Sequence, residues 1–217
     1  MSELTYSELR EFFRPTLWPN TPDILAEYLQ YGGRAAFVVR LVLAATLSAN
    51  YGIYGSAFEL LENRARESGS EEYLDSEKYC LRQWDLNRPD NLRDFVRRIN
   101  RIRHENLAFQ RDGNLAFYEI SNDQLIAYGR ESEDRQNIIL VIVNLDPYHL
   151  QSGWVELPME SLNLRRDDPY QVHDLLSGAR YLWQGPRNYV QLDPQSPAHI
   201  FMLRRRLRTE RQFDYFM

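Results

Sequence analysis

Lysine is almost missing from this sequence. Of its 26 basic residues, 25 are arginine and one is lysine, Lys78. An ammonium is a compact point charge and a guanidinium is a planar fork, so the two differ at a tight site. A surface lysine kept by chance is the competing account. Cysteine is nearly absent as well. Cys80 stands alone, which excludes a disulfide within the sequence and fits a reducing cytoplasm. The four histidines (His104, His149, His173 and His199) are scattered without paired-ligand spacing, so no metal site is expected. An excess of positive charge is missing too. The net charge is -5, which removes the global basic footprint of a nucleic-acid binder. Long apolar runs are lacking. The strongest, Arg34 to Asn50, is shorter than the roughly 20 residues of a membrane span and contains Arg40. Met1-Ser2-Glu3-Leu4 has neither the basic region nor the apolar core of a signal peptide, so the expected location is cytoplasmic.

What is present is apolar and aromatic. With 43% hydrophobic and 13% aromatic residues, the 217 residues can build one large or two small globular domains. The 14 tyrosines and 4 tryptophans could stack on sugars, but core and interface packing is the plainer use. The stretch from Phe12 to Ile24 organises the rest. Pro15, Pro19 and Pro22 each remove a backbone donor and push the preceding residue out of the helical region. A strand end feeding a stiff loop is expected, with one carboxylate, Asp23, in the turn. Helix-forming sequence follows after Gly32-Gly33. Strand, loop with a carboxylate, then helix is the βα unit of a (β/α) barrel, whose chemistry sits on such loops. A turn or helix-cap carboxylate is the structural alternative for Asp23.

Arg34 to Asn50 reads as a helix apolar on nearly all sides, hence buried. Asn50 to Gly55 reads as a short buried strand bounded by glycines, with Glu59 structural in the loop after it. Glu62 to Glu72 reads as a solvated loop or helix end. Asp90 is placed to cap a helix from Asn91 to about Asn106, with Leu92, Phe95, Val96, Ile99 and Ile102 as its apolar stripe. Tyr6 to Arg14 is expected to form a short helix or the entry to the first strand. After about Phe109 the pattern changes. Leu115 to Ile120, Gln124 to Gly129, Ile138 to Val143, Trp154 to Leu157, Tyr170 to Asp174, Arg180 to Trp183, Tyr189 to Leu192 and His199 to Leu203 read as strands. Turn residues such as Asp146-Pro147 and Ser177-Gly178 separate them. Eight short strands without a long helix argue for an antiparallel β-sandwich. The cluster Arg204-Arg205-Arg206-Leu207-Arg208 reads as a solvated basic tail.

Several stretches resemble one family. Trp18-Pro19-Asn20-Thr21-Pro22-Asp23-Ile24 resembles the last catalytic segment of the α-amylase superfamily. More narrowly, it resembles the bacterial α-1,4-glucan:maltose-1-phosphate maltosyltransferases. Ser48-Ala49-Asn50-Tyr51-Gly52-Ile53-Tyr54-Gly55, Asp75-Ser76-Glu77-Lys78-Tyr79, Asn144-Leu145-Asp146-Pro147 and Gln151-Ser152-Gly153-Trp154-Val155-Glu156-Leu157 extend the match from about Glu11 to about Arg204. The resemblance implies an α/β plus all-β fold. Residues 1–108 would be the C-terminal quarter of a (β/α)8 barrel and residues 109–217 a sandwich domain with the basic tail. It implies that Asp23 is the transition-state stabiliser and that Lys78 and Tyr79 bind the maltosyl unit. The implied substrates are α-maltose 1-phosphate and an α-1,4-glucan, the stereochemistry retaining, and no metal or organic cofactor takes part. An upstream polypeptide supplying the remainder of the barrel is the implied partner, and the resemblance leaves room for a homodimer of the full-length enzyme. Neither nucleic acid nor membrane is implied.

A complete barrel takes about 250 residues, and only two strand–helix pairs fit before residue 109. In the resembled family, earlier strands carry the Asp nucleophile and the Glu general acid/base that retaining glycosyl transfer requires. Nothing before Asp23 can be assigned to either, so the isolated chain is expected to be inactive. Three alternatives stay open: a truncated remnant, a non-catalytic α-glucan-binding module, and an amylase-type hydrolase or trehalose-forming isomerase.

Overall fold

The structure is a computed structural model that describes Glu8 and residues 12–204. The first strand, β1, is Thr16–Leu17, and two helices follow, α1 (Glu27–Tyr31) and α2 (Gly33–Leu47). Strand β2 (Asn50–Tyr51) lies parallel to β1, with Thr16 opposite Asn50 and Leu17 opposite Tyr51. Two parallel strands cannot be joined by a tight turn, and the helical crossover α1–α2 makes the return. Helix α2 buries residues on every side, Phe37, Leu41, Val42 and Ala45 among them, as its uniformly apolar sequence requires. The expected strand over Asn50 to Gly55 shortens to β2, and after Gly52, Ile53 and Tyr54 the next helix, α3 (Gly55–Glu59), begins. Glu59 therefore ends a helix instead of lying in a loop.

Helix α4 (Arg93–Glu105) buries Val96, Ile99 and Ile102 on the stripe legible in the sequence. The expected cap at Asp90 is not found. Leu92 is fully buried and its N–H donates to the Glu59 carbonyl at 2.7 Å, so the chain is pinned there and the helix starts one residue later. Asn91 takes over the capping chemistry, accepting the Arg93 N–H at 3.0 Å, while Asp90 faces Arg34 at 3.4 Å.

Strands occupy all eight expected positions: β3 (Leu115–Tyr118), β4 (Leu125–Glu131), β5 (Ile138–Asn144), β6 (Gln151–Glu156), β7 (Tyr170–Asp174), β8 (Arg180–Trp183), β9 (Arg187–Leu192) and β10 (Ala198–Arg204). Six of them form an antiparallel sheet in the order β3-β4-β5-β10-β7-β8, and β6 pairs with β9 in a second layer. Strand β5 is buried along its whole length. Its side chains alternate between two cores, as a pleated strand dictates. Leu140 and Ile142 join Val155, Val190 and Leu192 of the small layer. Val141 and Val143 join Phe37, Leu41 and Val42 of α2. Each such buried side chain is worth about 1.5–3 kcal/mol.

The helices and the large sheet are also tied by polar contacts. Thr46 Oγ1 and the Tyr128 hydroxyl, both buried, lie 2.6 Å apart. The buried guanidinium of Arg130 donates to the Thr46 carbonyl at 3.0 Å and to Asn114 Oδ1 at 2.9 Å. The Tyr28 hydroxyl donates to the Leu145 carbonyl, so the Asn144-Leu145-Asp146-Pro147 turn docks onto α1. Among the described residues no helix is long and apolar enough to cross a membrane. The basic tail beyond Arg204 lies outside the described residues, as does most of Tyr6 to Arg14; of the described part, Glu8 is in a 3-10 turn and Phe12 to Arg14 are neither helix nor strand.

Candidate functional site

The stretch after β1 is stiff for a physical reason. Trp18 packs on Gly52, where an added Cβ would lie 2.4 Å from the indole, and Gly52 N–H donates to the Leu17 carbonyl at 3.0 Å. Pro19 and Asn20 are buried. Thr21 and Ile24 exchange two backbone bonds, of 3.1 and 3.3 Å, closing a tight turn that holds Asp23 outward. Asp23 thus sits on the loop leaving the C-terminal end of β1, with its carboxylate exposed.

The segment after α3 is anchored at three points. Glu62 accepts from Arg64 Nε at 3.0 Å and from Arg82 Nη2 at 2.7 Å. Burial opposes ionisation of Glu62, but the bonds from Arg64 and Arg82 outweigh it and hold its carboxyl down at about 2. The expectation of a solvated loop therefore fails at its first residue, since Glu62 is an ionised anchor only 9% exposed. Tyr73 is the second anchor, almost wholly buried, its hydroxyl accepting from Asn20 Nδ2 at 2.8 Å. The third is Glu77, which accepts from Trp84 Nε1 at 3.0 Å and from the Tyr54 hydroxyl. Between these anchors Asp75 adopts a left-handed φ of 53°, which aspartate tolerates better than most residues. Ser76 is buried and its carbonyl accepts the Tyr79 N–H at 2.9 Å. The resulting turn presents Lys78 and Tyr79 to solvent.

All three residues singled out from the sequence meet. Lys78 Nζ lies 3.2 Å from Asp23 Oδ1 and 5.4 Å from the centre of the Tyr79 ring. The Asp23 carboxylate, and after it the Tyr79 hydroxyl, raises the Lys78 ammonium above its ordinary range. One carboxylate, one ammonium and one exposed phenol make a rim that can accept from and donate to neighbouring hydroxyls, with a ring beside them for stacking.

Sequence reasoning missed Asn20, Tyr54, Tyr73, Glu77 and Trp84, which hold this rim. Asn20, Tyr54 and Glu77 lie inside stretches that carry the resemblance, but nothing in a linear pattern tells a buried asparagine from an exposed one. A second cluster outside this site joins Asp174, His199 and Ser177. His199 Nδ1 lies 3.0 Å from Asp174 Oδ2, but Ser177 Oγ also donates to that carboxylate, at 2.6 Å, and not to the imidazole. Asp174 is buried, but His199 is only partly so and Ser177 is exposed, and the cluster lacks the serine-to-histidine bond that activates a nucleophile.

Residues 117–203 match a family model described as GLGE, C-terminal. The chain is 51% identical over 208 residues to an alpha-1,4-glucan:maltose-1-phosphate maltosyltransferase of Chlorobaculum tepidum, covering 93% of this chain and 31% of that protein. It is 45% identical over 216 residues to one of Myxococcus xanthus, covering 100% of this chain and 32% of that protein. The chain thus spans about a third of the length of the curated relatives it matches. Among solved structures, it is similar to an α-amylase from Geobacillus thermoleovorans complexed with acarbose, with TM-score 0.61 and 12% identity over 92% of this chain and 42% of that one. A γ-CGTase from an alkalophilic Bacillus clarkii gives TM-score 0.61 and 16% identity over 92% of this chain and 28% of that one. At such identities the likeness is one of fold.

Proposed function

The chain resembles the C-terminal portion of the α-1,4-glucan:maltose-1-phosphate maltosyltransferases, and from that premise we propose that it forms the donor-sugar rim of such an enzyme. In this reading residues 1–108 are the last quarter of a (β/α)8 barrel and residues 109–217 the sandwich domain after it. An upstream polypeptide supplies the nucleophile and the general acid/base. The nucleophilic carboxylate displaces phosphate from the anomeric carbon of α-maltose 1-phosphate. The non-reducing 4-hydroxyl of an α-1,4-glucan then displaces the enzyme carboxylate and gives up its proton to the general base, with net retention.

Asp23 acts on the reacting ring. Its carboxylate accepts hydrogen bonds from ring hydroxyls, which strengthen as the ring gains positive charge in the oxocarbenium-like transition state. Lys78 donates to hydroxyls of the outer glucose, and Tyr79 supplies a hydroxyl and a ring. Entry of the donor exchanges the Asp23–Lys78 ion pair for contacts to the two sugar units. The observation that carries this reading is the 3.2 Å approach of Lys78 Nζ to Asp23 Oδ1 on the loop leaving β1.

The test is a chimera in which residues 12–204 replace the corresponding third of the Chlorobaculum tepidum protein. Phosphate release from α-maltose 1-phosphate, dependent on added glucan, is the expected result. A folded chimera that hydrolyses starch or isomerises maltose, and releases no phosphate, would overturn the assignment.

A further inference from the structure

We propose that Asn20, Tyr54 and Glu77 form a bridge that positions Asp23 against Lys78. The inference rests on the reading of those two residues as sugar-binding groups. Asn20 stands three residues before Asp23 and is 2% exposed. Its Oδ1 accepts the Tyr54 N–H at 3.0 Å, and its Nδ2 donates to the Tyr73 hydroxyl at 2.8 Å and approaches the Tyr54 carbonyl at 3.4 Å. Both ends of the amide are therefore committed, and the side chain cannot flip without losing these bonds. Tyr54, which follows β2, carries the connection outward. Its ring meets that of Tyr73 edge to face at 5.8 Å, and its hydroxyl donates to Glu77 Oε2. Glu77 immediately precedes Lys78 and accepts at its other oxygen from Trp84 Nε1.

Three chain segments that are remote in sequence are joined this way, and the two candidate sugar-binding residues lie next to the two ends of the bridge. An ionised carboxylate is acceptor-only, which suits Glu77, since it faces two donors. Those two donor bonds also hold the Glu77 carboxyl below its ordinary range. A glutamine there has a single acceptor oxygen for those two donors. The outer half of the bridge is solvent-exposed. Bonds there add little to folding stability, so their loss should move the rim without unfolding the chain.

The chain's only lysine gives a clean reporter, because Lys78 contributes the one lysine ε-ammonium signal in a nitrogen-15 NMR titration. Asp23→Asn fixes the value that Lys78 takes without its partner. Tyr54→Phe removes one hydroxyl, keeps the ring on Tyr73 and changes no charge near neutral pH. The bridge predicts that Tyr54→Phe shifts the Lys78 titration down toward the Asp23→Asn value although Asp23 remains. Glu77→Gln should also lower it, in part through the loss of a charge beside Lys78, and Tyr54→Phe added to Glu77→Gln should move it little further, because the Tyr54 hydroxyl acts through Glu77. Tyr170→Phe, which loses bonds to Gly185 and Asn188 in the sheet region, should lower the melting temperature and leave the titration unmoved.

In the chimera, Tyr54→Phe should raise KM for maltose 1-phosphate and lower kcat/KM about tenfold, within the roughly hundredfold that a misplacement of about 1 Å can cost. A Lys78 titration identical in Tyr54→Phe and parent overturns the bridge whatever the chimera does. An inactive parent chimera counts against the proposed function, while the titration still decides the bridge.

Discussion

Lys78 Nζ stands 3.2 Å from Asp23 Oδ1, and both side chains are more than half exposed. Stability does not account for such a pair. Exposed ion pairs pay side-chain entropy and are screened by solvent, so most contribute little. The pair closes a long separation in sequence and uses the one lysine of an arginine-rich chain. Two loops from different elements converge to make it, and buried anchors at Asn20, Glu62 and Tyr73 hold those loops. Investment of buried polar groups in an exposed contact is the pattern of a binding rim on a rigid scaffold.

The Asp23→Asn substitution separates the two uses of this carboxylate. In the folded chain the melting temperature near neutral pH should be essentially unchanged. In the chimera kcat and kcat/KM should fall together, because the lost contact matters in the transition state more than in the ground state. The expected loss is about 100- to 1,000-fold, or ~2.7–4 kcal/mol, as for other electrostatic stabilisers. Steady-state kinetics within a few-fold of the parent would return Asp23 to a turn residue.

Acid should act through Glu62. Its folded-state carboxyl is held at about 2, below the ordinary glutamate value, by the bonds from Arg64 and Arg82. A depressed folded value means that the stabilisation is present above the unfolded pKa and is lost as pH falls through the folded one. Stability should therefore decline between about pH 4.5 and pH 2, with a contribution on the order of 2–3 kcal/mol. Glu62→Gln should flatten that decline in urea melts taken across this range. An acid limb as steep as the parent's would remove Glu62 as its cause.

The reach of the sequence differs between the halves. The strands after Phe109 were legible because alternation and turn residues mark them locally, and β5 showed as an unbroken apolar run because both its faces are covered. The cap of α4 was misread because a tertiary bond from Leu92 to Glu59 sets its start, and local chemistry at Asp90 cannot reveal that. Asp23, Lys78 and Tyr79 came from resemblance and from the rarity of lysine, and folding brings them together. Their supports were not legible. Asn20 is one of many asparagines until folding buries it against Tyr54 and Tyr73.

The 217-residue chain by itself should release no phosphate from maltose 1-phosphate. No residue in it is assigned as nucleophile or general acid, and retaining transfer needs both. The measurement is a coupled phosphate assay on purified chain with and without glycogen. Turnover that co-purifies with the chain, and that Asp23→Asn abolishes, would mean that these residues hold a complete catalytic set.

Lys78 and Tyr79 should behave as remote binding residues. In the proposed geometry they hold the outer glucose, away from the breaking bond, so their loss should appear first in KM for maltose 1-phosphate. Remote binding energy also orients the reacting ring, so kcat can fall with it. Lys78→Arg should be nearly as harmful as Lys78→Ala, because in the proposed geometry a planar fork cannot replace a compact ammonium at a tight sugar-hydroxyl site. Tyr79→Phe, which keeps the ring and loses the hydroxyl, should cost less than Tyr79→Ala. Comparison of maltose 1-phosphate with glucose 1-phosphate in the chimera isolates the effect, since the shorter donor has no outer glucose to lose contact with. A Lys78→Arg chimera with parental KM on maltose 1-phosphate would show that charge alone matters there, and parental behaviour of Lys78→Ala as well would return Lys78 to a chance surface lysine.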